Sequence, residues 1–321
     1  MIRLKNNPFF YSVSSTLLII SLSLLSSCIW KENSVAHPLP YIAPPLLNIN
    51  PVEKQQLSNR VASYFKESLL RYEGIFSGGI LVAKGGHVLF EHYAGFTDYP
   101  KKIQPLQEDS PLHIASTSKT FTAIAILQLV QQQKISLDDT LELFFEKWPY
   151  PGVTIKQLLT HRSGLPNYTY FMEADKQGKL AYTNKDIIDW MIQHKPAPHA
   201  RPDSRFEYCN TNYLLLATLI EKTSGYSYPE FLRRSIFTFL SMKNTFVFEP
   251  ADAVKATPSF VNSSQPWPLD HLDLTYGDKN IYSTPRDLLK WDQALYTKQL
   301  VSDSLLDLAF TPYSFERPGQ N

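Results

Sequence analysis

The sequence has few cysteines, since Cys28 and Cys209 are the only two among 321 residues. An excess of charge of one sign is also missing, because 31 basic residues face 30 acidic ones. With no basic block and no glycine-rich phosphate loop, this balance gives no reason to expect binding to nucleic acid. The 43% hydrophobic content suits a globular protein stabilised by an apolar core.

Two further features are missing from the chain. Beyond the N-terminal region, no stretch reaches the ~20 consecutive apolar residues that a membrane-spanning helix needs. Several histidines also lack the spacing of metal ligands, namely His87, His92, His113, His194, His199 and His271. We therefore expect no metal site and no cofactor.

The N-terminal segment has the pattern of an export signal. Arg3 and Lys5 precede an apolar run over residues 13–25. The following Leu25-Ser26-Ser27-Cys28 resembles the lipobox of bacterial lipoproteins, in which the cysteine is lipidated and becomes the new N-terminus. We expect residues 1–27 to be a lipoprotein signal peptide and Cys28 to anchor the exported protein to a membrane of the bacterial cell envelope. An ordinary signal peptide or an uncleaved anchor is the alternative.

The domain organisation follows from composition and periodicity. Residues 28–52 contain five prolines and are predicted to form an extended tether. A lipidated Cys28 would also leave Cys209 without an intrachain disulfide partner. The remaining residues, 53–321, are predicted to form one domain, with a helical subdomain over about 111–270.

Local patterns within this domain predict both helices and strands. Residues 53–70 have a helical stripe that includes Tyr64, and the apolar runs 79–83 and 88–93 flank the glycines of a hairpin turn. Further helices are predicted at Ser116–Gln133, Ile155–Leu159, Lys185–Gln193 and Thr211–Thr223. A helix, strands, more helices and a mixed end indicate an α/β (α+β) domain with an all-helical insertion.

The pattern Ser-x-x-Lys occurs twice, at Ser116–Lys119 and at Ser63–Lys66. Residues three apart share a helix face, so each lysine can lie beside its serine. Ser63 falls inside a predicted helix, where the backbone N–H groups are already bonded. Ser116 begins its helix, where free N–H groups and the helix dipole can stabilise an oxyanion. Ser116 is therefore the candidate nucleophile, with a helix-capping serine as the alternative.

Two more motifs follow Ser116-x-x-Lys119 in order: residues 158–166, Leu-Leu-Thr-His-Arg-Ser-Gly-Leu-Pro, and Tyr208-Cys209-Asn210. With this order the chain resembles the serine β-lactamase and penicillin-binding-protein superfamily, and within it the class C-like branch. That branch includes D-alanyl-D-alanine carboxypeptidases and esterases. Gly277-Asp278, followed by residues 281–284, is similar to the family as well. The resemblance implies an antiparallel sheet flanked by helices, together with an all-helical subdomain.

The resemblance also implies roles for individual residues. Ser116 would form an acyl-enzyme, Lys119 would be the neighbouring base, and Tyr208 would carry a proton to the leaving group. Asn210 would orient Lys119 and the substrate amide. Alternatively, Tyr208 packs on the core and Asn210 caps a helix. The segment of His161 is a structural turn in this family, so we do not expect His161 to be catalytic, and we expect Cys209 to be a buried, inert thiol.

One expected motif is missing. The family carries His-x-Gly or Lys-x-Gly on a later strand, and the printed sequence reaches Asn321 without it. We therefore expect the chain to be C-terminally shortened, without the later strands of the sheet. The predicted function is a serine hydrolase acting on amide or ester bonds of D-Ala-D-Ala-type peptides, β-lactams or esters. The alternatives are a non-catalytic module that binds peptidoglycan-derived ligands and an inactive truncated fragment.

Overall fold

A computed structural model of the chain describes residues 40–70, 76–99, 101–174, 181–262, 265–268 and 270–315. The predicted signal peptide, Cys28 and the first part of the predicted tether lie outside the described residues. All described residues belong to one compact unit, Val35–Asn321. None of the helices in this part of the chain is long and apolar enough to cross a membrane.

The helices are α1 (Pro51–Leu70), α2 (Ser118–Gln131), α3 (Ile155–Leu159), α4 (Tyr168–Ala174), α5 (Asn184–His194), α6 (Asn210–Ser224), α7 (Tyr228–Leu232), α8 (Pro285–Ala294) and α9 (Asp303–Phe310). The strands are β1 (Gly78–Lys84), β2 (His87–Ala94), β3 (Leu112–His113), β4 (Phe246–Val247), β5 (Phe260–Asn262), β6 (Gln265–Pro266) and β7 (Ile281–Ser283).

Helices α2 and α6 form the centre of the core. Both are apolar over most of their length, and residues on every face of α2 are buried, which is typical of a helix enclosed by a domain. Phe121 of α2 stacks on Trp291 of α8, with ring centroids 4.1 Å apart. Helix α8 thus contacts α2 through this pair of aromatic rings.

The strands are antiparallel but do not form a single sheet. Among the described residues, β1 pairs with β2, β3 and β4 both pair with β7, and β5 pairs with β6. The expected antiparallel sheet flanked by helices is therefore divided into three small sheets. The β1–β2 hairpin turns at Gly85 and Gly86, whose φ angles of 55° and 81° favour glycine. The sheet formed by β3, β7 and β4 positions the candidate nucleophile, because β3 leads directly into the turn that contains Ser116.

Most predicted helices are present with shifts of one or two residues at their ends. The helix predicted from Ser116 differs, because residues 115–117 form a 3₁₀ turn and α2 begins at Ser118. The stripe predicted for α1 was wrong at Tyr64, whose ring is exposed. The spacing of apolar residues along a helix does not show how much of that helix a neighbouring element covers. Here β2 covers only part of α1.

Candidate active site

Ser116 lies in the short turn between β3 and α2. The turn is fixed at its start because Ile114 donates its N–H to the carbonyl of Ile281 in β7, at 3.0 Å. Ala115 has a φ of 46°, a left-handed conformation that costs about 1 kcal/mol for a residue with a Cβ atom. This backbone reversal presents the Ser116 side chain on the surface. A nucleophile for external substrates needs this accessibility.

Lys119 lies one turn further along and is buried, with only 6% of its surface exposed. Its Nζ donates to Ser116 Oγ at 3.2 Å, to Asn210 Oδ1 at 2.9 Å and to the main-chain carbonyl of Asp278 at 2.8 Å. An ammonium group has three N–H bonds, so these three acceptors satisfy it completely. The lysine is therefore held in one position beside the serine.

Tyr208 approaches Ser116 from the other side. Its hydroxyl group donates to Ser116 Oγ at 2.8 Å, and its ring lies with the centroid 4.9 Å from Lys119 Nζ. The tyrosine precedes α6 on an extended segment and keeps 46% of its surface exposed. A ring that packed only on the core would be covered, so this exposure and the hydrogen bond to Ser116 fit the proton-transfer role better than the packing alternative.

Asn210 is the first residue of α6, and the residue in the cap position before it is Cys209. The side chain of Asn210 accepts from Lys119. Its geometry fits the orienting role and not the capping alternative. Cys209 itself is buried, and burial raises the pKa of its thiol. The reactive thiolate form is therefore less populated.

His161 packs against the ring of Tyr208. Its Nδ1 accepts from the backbone N–H of Cys209 at 3.1 Å, so the neutral ring carries its proton on Nε2. The ring centroid lies 4.5 Å from that of Tyr208. Burial, and secondarily the charge of Lys119, lowers the pKa of His161 to about 4. The histidine is neutral at physiological pH, and Ser116 is hydrogen-bonded to Lys119 and Tyr208 instead.

The segment 275–280 closes the back of the site. Gly277 has a φ of 100°, and a Cβ atom there would lie 2.3 Å from the carbonyl oxygen of Tyr213, so only glycine fits. The carbonyl of Gly277 accepts from Thr122 of α2 at 2.7 Å. This close packing brings the next carbonyl, that of Asp278, to Lys119.

The second Ser-x-x-Lys pair does not form a comparable site. Ser63 and Lys66 both lie on the exposed surface of α1. The similar sequence Tyr182-Thr183-Asn184 is also structural, because Thr183 caps α5 through a capping box with Asp186. In the described part of the chain, no group of three His, Cys, Asp or Glu side chains is placed to hold a metal ion.

Two contributions could not be assigned from sequence. The supporting hydrogen bond of His161 depends on a contact between residues 48 positions apart. Asp278 was recognised only as part of a motif, although its side chain is fully buried behind Lys119. The sequence offered one signal, which is that Asp278 lies close to the apolar residues 281–282. An acidic residue beside an apolar segment is uncommon, because carboxylates are seldom buried without a partner.

The profile of the Beta-lactamase family matches residues 65–320, and the chain belongs to this family. Penicillin-binding protein 4* of Bacillus subtilis is 33% identical over 253 residues, which are 74% of this chain and 56% of that protein. A D-aminopeptidase of Brucella anthropi is 27% identical over 262 residues, or 74% of this chain and 48% of that protein. The chain thus spans about half the length of these two curated relatives.

Solved structures agree with this assignment. A penicillin binding protein from Bacillus halodurans is similar with a TM-score of 0.68 and 27% identity, covering 79% of this chain and 77% of that one. A D-amino acid amidase from Ochrobactrum anthropi SV3 is similar with a TM-score of 0.64 and 25% identity, covering 78% and 73%. The β-lactamase/transpeptidase-like fold predicted from the motifs is therefore confirmed.

Proposed function

We propose that this chain carries the nucleophilic centre of a serine hydrolase that cleaves amide or ester bonds through an acyl group on Ser116. One observation carries the proposal: an exposed serine hydroxyl lies 3.2 Å from a buried lysine amine and 2.8 Å from a tyrosine hydroxyl. A serine needs a base within hydrogen-bond reach before it attacks a carbonyl, and this cluster supplies one.

Acylation proceeds from the form of the cluster in which Lys119 is an amine. The Ser116 proton passes to the lysine lone pair while Oγ bonds to the substrate carbonyl carbon, whose oxygen becomes an oxyanion. Lys119 then returns a proton through the Tyr208 hydroxyl to the departing nitrogen or oxygen, and the carbon–nitrogen or carbon–oxygen bond breaks. Asn210 keeps the lysine aligned throughout. A water molecule, activated by the same cluster, releases the acyl group.

The names of the relatives favour substrates with a D-amino acid or a β-lactam ring. They include penicillin-binding proteins, a D-aminopeptidase and a D-amino acid amidase. We infer D-Ala-D-Ala-type peptides, β-lactams or related esters as the substrate class. A non-catalytic module for peptidoglycan-derived ligands is the second candidate, but its binding role gives no reason for the Lys119 contacts with Ser116.

Active-site labelling tests the proposal. The protein is incubated with a fluorophosphonate probe and, separately, with a fluorescent penicillin, and the modified peptide is located by mass spectrometry. We expect labelling at Ser116 and its loss in Ser116→Ala. Ser63→Ala is the matched control, since it removes the serine of the other Ser-x-x-Lys pair and should label like the wild type. Folded wild-type protein that reacts with neither reagent would contradict the proposal.

We also propose that the protein is an exported lipoprotein of the bacterial cell envelope, anchored through Cys28. The charged start, the apolar run and the lipobox-like sequence support this. Under this proposal the catalytic domain is tethered to a membrane surface, where peptidoglycan-derived substrates are present.

A further inference from the structure

The side chain of Asp278 is enclosed behind the catalytic cluster. The residue has 1% of its surface exposed, and its Oδ2 accepts from the Tyr168 hydroxyl at 2.9 Å. Its Oδ1 has no hydrogen-bond partner among the residues that the structure describes. A carboxylate buried with a single hydrogen bond is costly unless a positive charge lies nearby.

Lys119 provides that charge. Its Nζ donates to the main-chain carbonyl of Asp278 at 2.8 Å, so the ammonium group and the carboxyl group occupy the same buried region. The pKa of Asp278 is raised, chiefly by burial, and the positive charges of Lys119 and Lys279 and the hydrogen bond from Tyr168 limit that rise. Each buried charge makes the other less costly.

We propose that the Asp278 carboxylate is the buried counter-charge of the Lys119 ammonium group and acts as a positioning residue that sets how readily the cluster around Ser116 gives up its proton. Resting on the function proposed above, this role concerns the base that activates Ser116. Asp278 does not touch the substrate, so its influence passes through Lys119.

The other titratable groups around Asp278 and Lys119 do not change the assignment of Asp278 as the counter-charge. The titratable groups that face the two residues from the elements packed on them are Tyr168, Tyr208, Tyr213, Tyr228, His161 and Lys279. The pKa values of Tyr213 and Tyr228 are raised by burial, and that of His161 is lowered, so all three are neutral near pH 7. None of these six groups is a carboxylate, so the negative charge that balances Lys119 in this set is that of Asp278.

The pH dependence of labelling tests the catalytic consequence. Removing a nearby negative charge makes a positively charged acid give up its proton more readily. In Asp278→Asn, the acid limb of the fluorophosphonate labelling rate should therefore move to lower pH by about one unit. Thr275→Val is the matched control, because it removes a neutral hydroxyl that contacts Tyr168 in the same network. Its acid limb should stay in place, and an unmoved limb in Asp278→Asn would overturn the proposal.

A stability measurement decides the question without any catalysis. Lys119→Met leaves the Asp278 carboxylate unpaired, so adding Asp278→Asn to this variant should restore stability, with a melting temperature roughly 5 °C higher than that of Lys119→Met alone. A double variant no more stable than Lys119→Met would overturn the proposal. Because this comparison uses unfolding only, it stands even when Asp278→Asn fails to fold alone. Absence of labelling in the wild type would instead count against the hydrolase function.

Discussion

The buried His161 predicts how the stability of the protein depends on pH. Its pKa is about 4 in the folded state and near 6.5 in an unfolded chain. Above pH 6.5 both states hold a neutral ring, and the full stability is present. Between pH 6.5 and pH 4 the unfolded chain takes up a proton that the folded protein excludes, so stability falls as the pH falls. The difference in pKa corresponds to a loss of about 3 kcal/mol by pH 4.

His161→Asn isolates this contribution. Asparagine tolerates the left-handed backbone at this position, where φ is 55°, and its side-chain oxygen can still accept from the Cys209 N–H. The free energy of unfolding is measured by urea denaturation at pH 7, 6, 5 and 4, with the fluorescence of buried Trp148 and Trp291 as the signal. The smaller side chain lowers stability at every pH, so the comparison concerns the slope.

We expect the wild type to lose about 3 kcal/mol more than His161→Asn between pH 7 and pH 4. Other titrating groups, such as Glu230, whose pKa is held at about 2 by Arg233 and Arg234, contribute equally to both curves and cancel. Parallel curves for the two proteins would refute the reasoning, since they would mean that the folded state protonates His161 as easily as the unfolded chain does.

Two further predictions concern catalysis and location. Tyr208→Phe keeps the ring on His161 but removes the proton carrier, so turnover of an amide or ester substrate should fall about 100-fold or more while the melting temperature changes little; an unchanged kcat would exclude the role of the hydroxyl. Cys28→Ser should move the protein expressed in bacteria from the membrane fraction to the soluble fraction, as followed by immunoblotting, and a variant that remained in membranes would show that another segment is the anchor.

The sequence was most informative where local pattern and local structure coincide. Helix α3 was predicted with the bounds that it has, because the apolar residues Ile155, Leu158 and Leu159 recur at helical spacing after Thr154, which forms a capping box. Ser116 and Lys119 were paired correctly because a three-residue spacing on a helix brings side chains together without help from the rest of the fold. Position along the helix, not spacing, distinguishes Ser116, in the turn just before α2, from Ser63 within α1.

What the sequence could not show depends on distant contacts. Strands β3 and β4 have two residues each, too few for an alternating pattern, and they exist because β7 pairs with both. The left-handed conformation of Ala115 carries no sequence signal, since alanine ordinarily avoids it. That strain is sustained by neighbours on either side, including the hydrogen bond from Ile114 to Ile281.

The arrangement around Lys119 explains why such contacts matter for chemistry. As an ammonium group the lysine donates to Ser116, Asn210 and the carbonyl of Asp278, and as an amine it can accept the serine proton with little movement. The positions of these groups therefore suit both the ammonium form and the amine form of Lys119. The balance between them must be set by charge, and the buried carboxylate of Asp278 provides it. The turn before α2 positions Ser116, whereas the surrounding fold sets the charge around the lysine that would activate it.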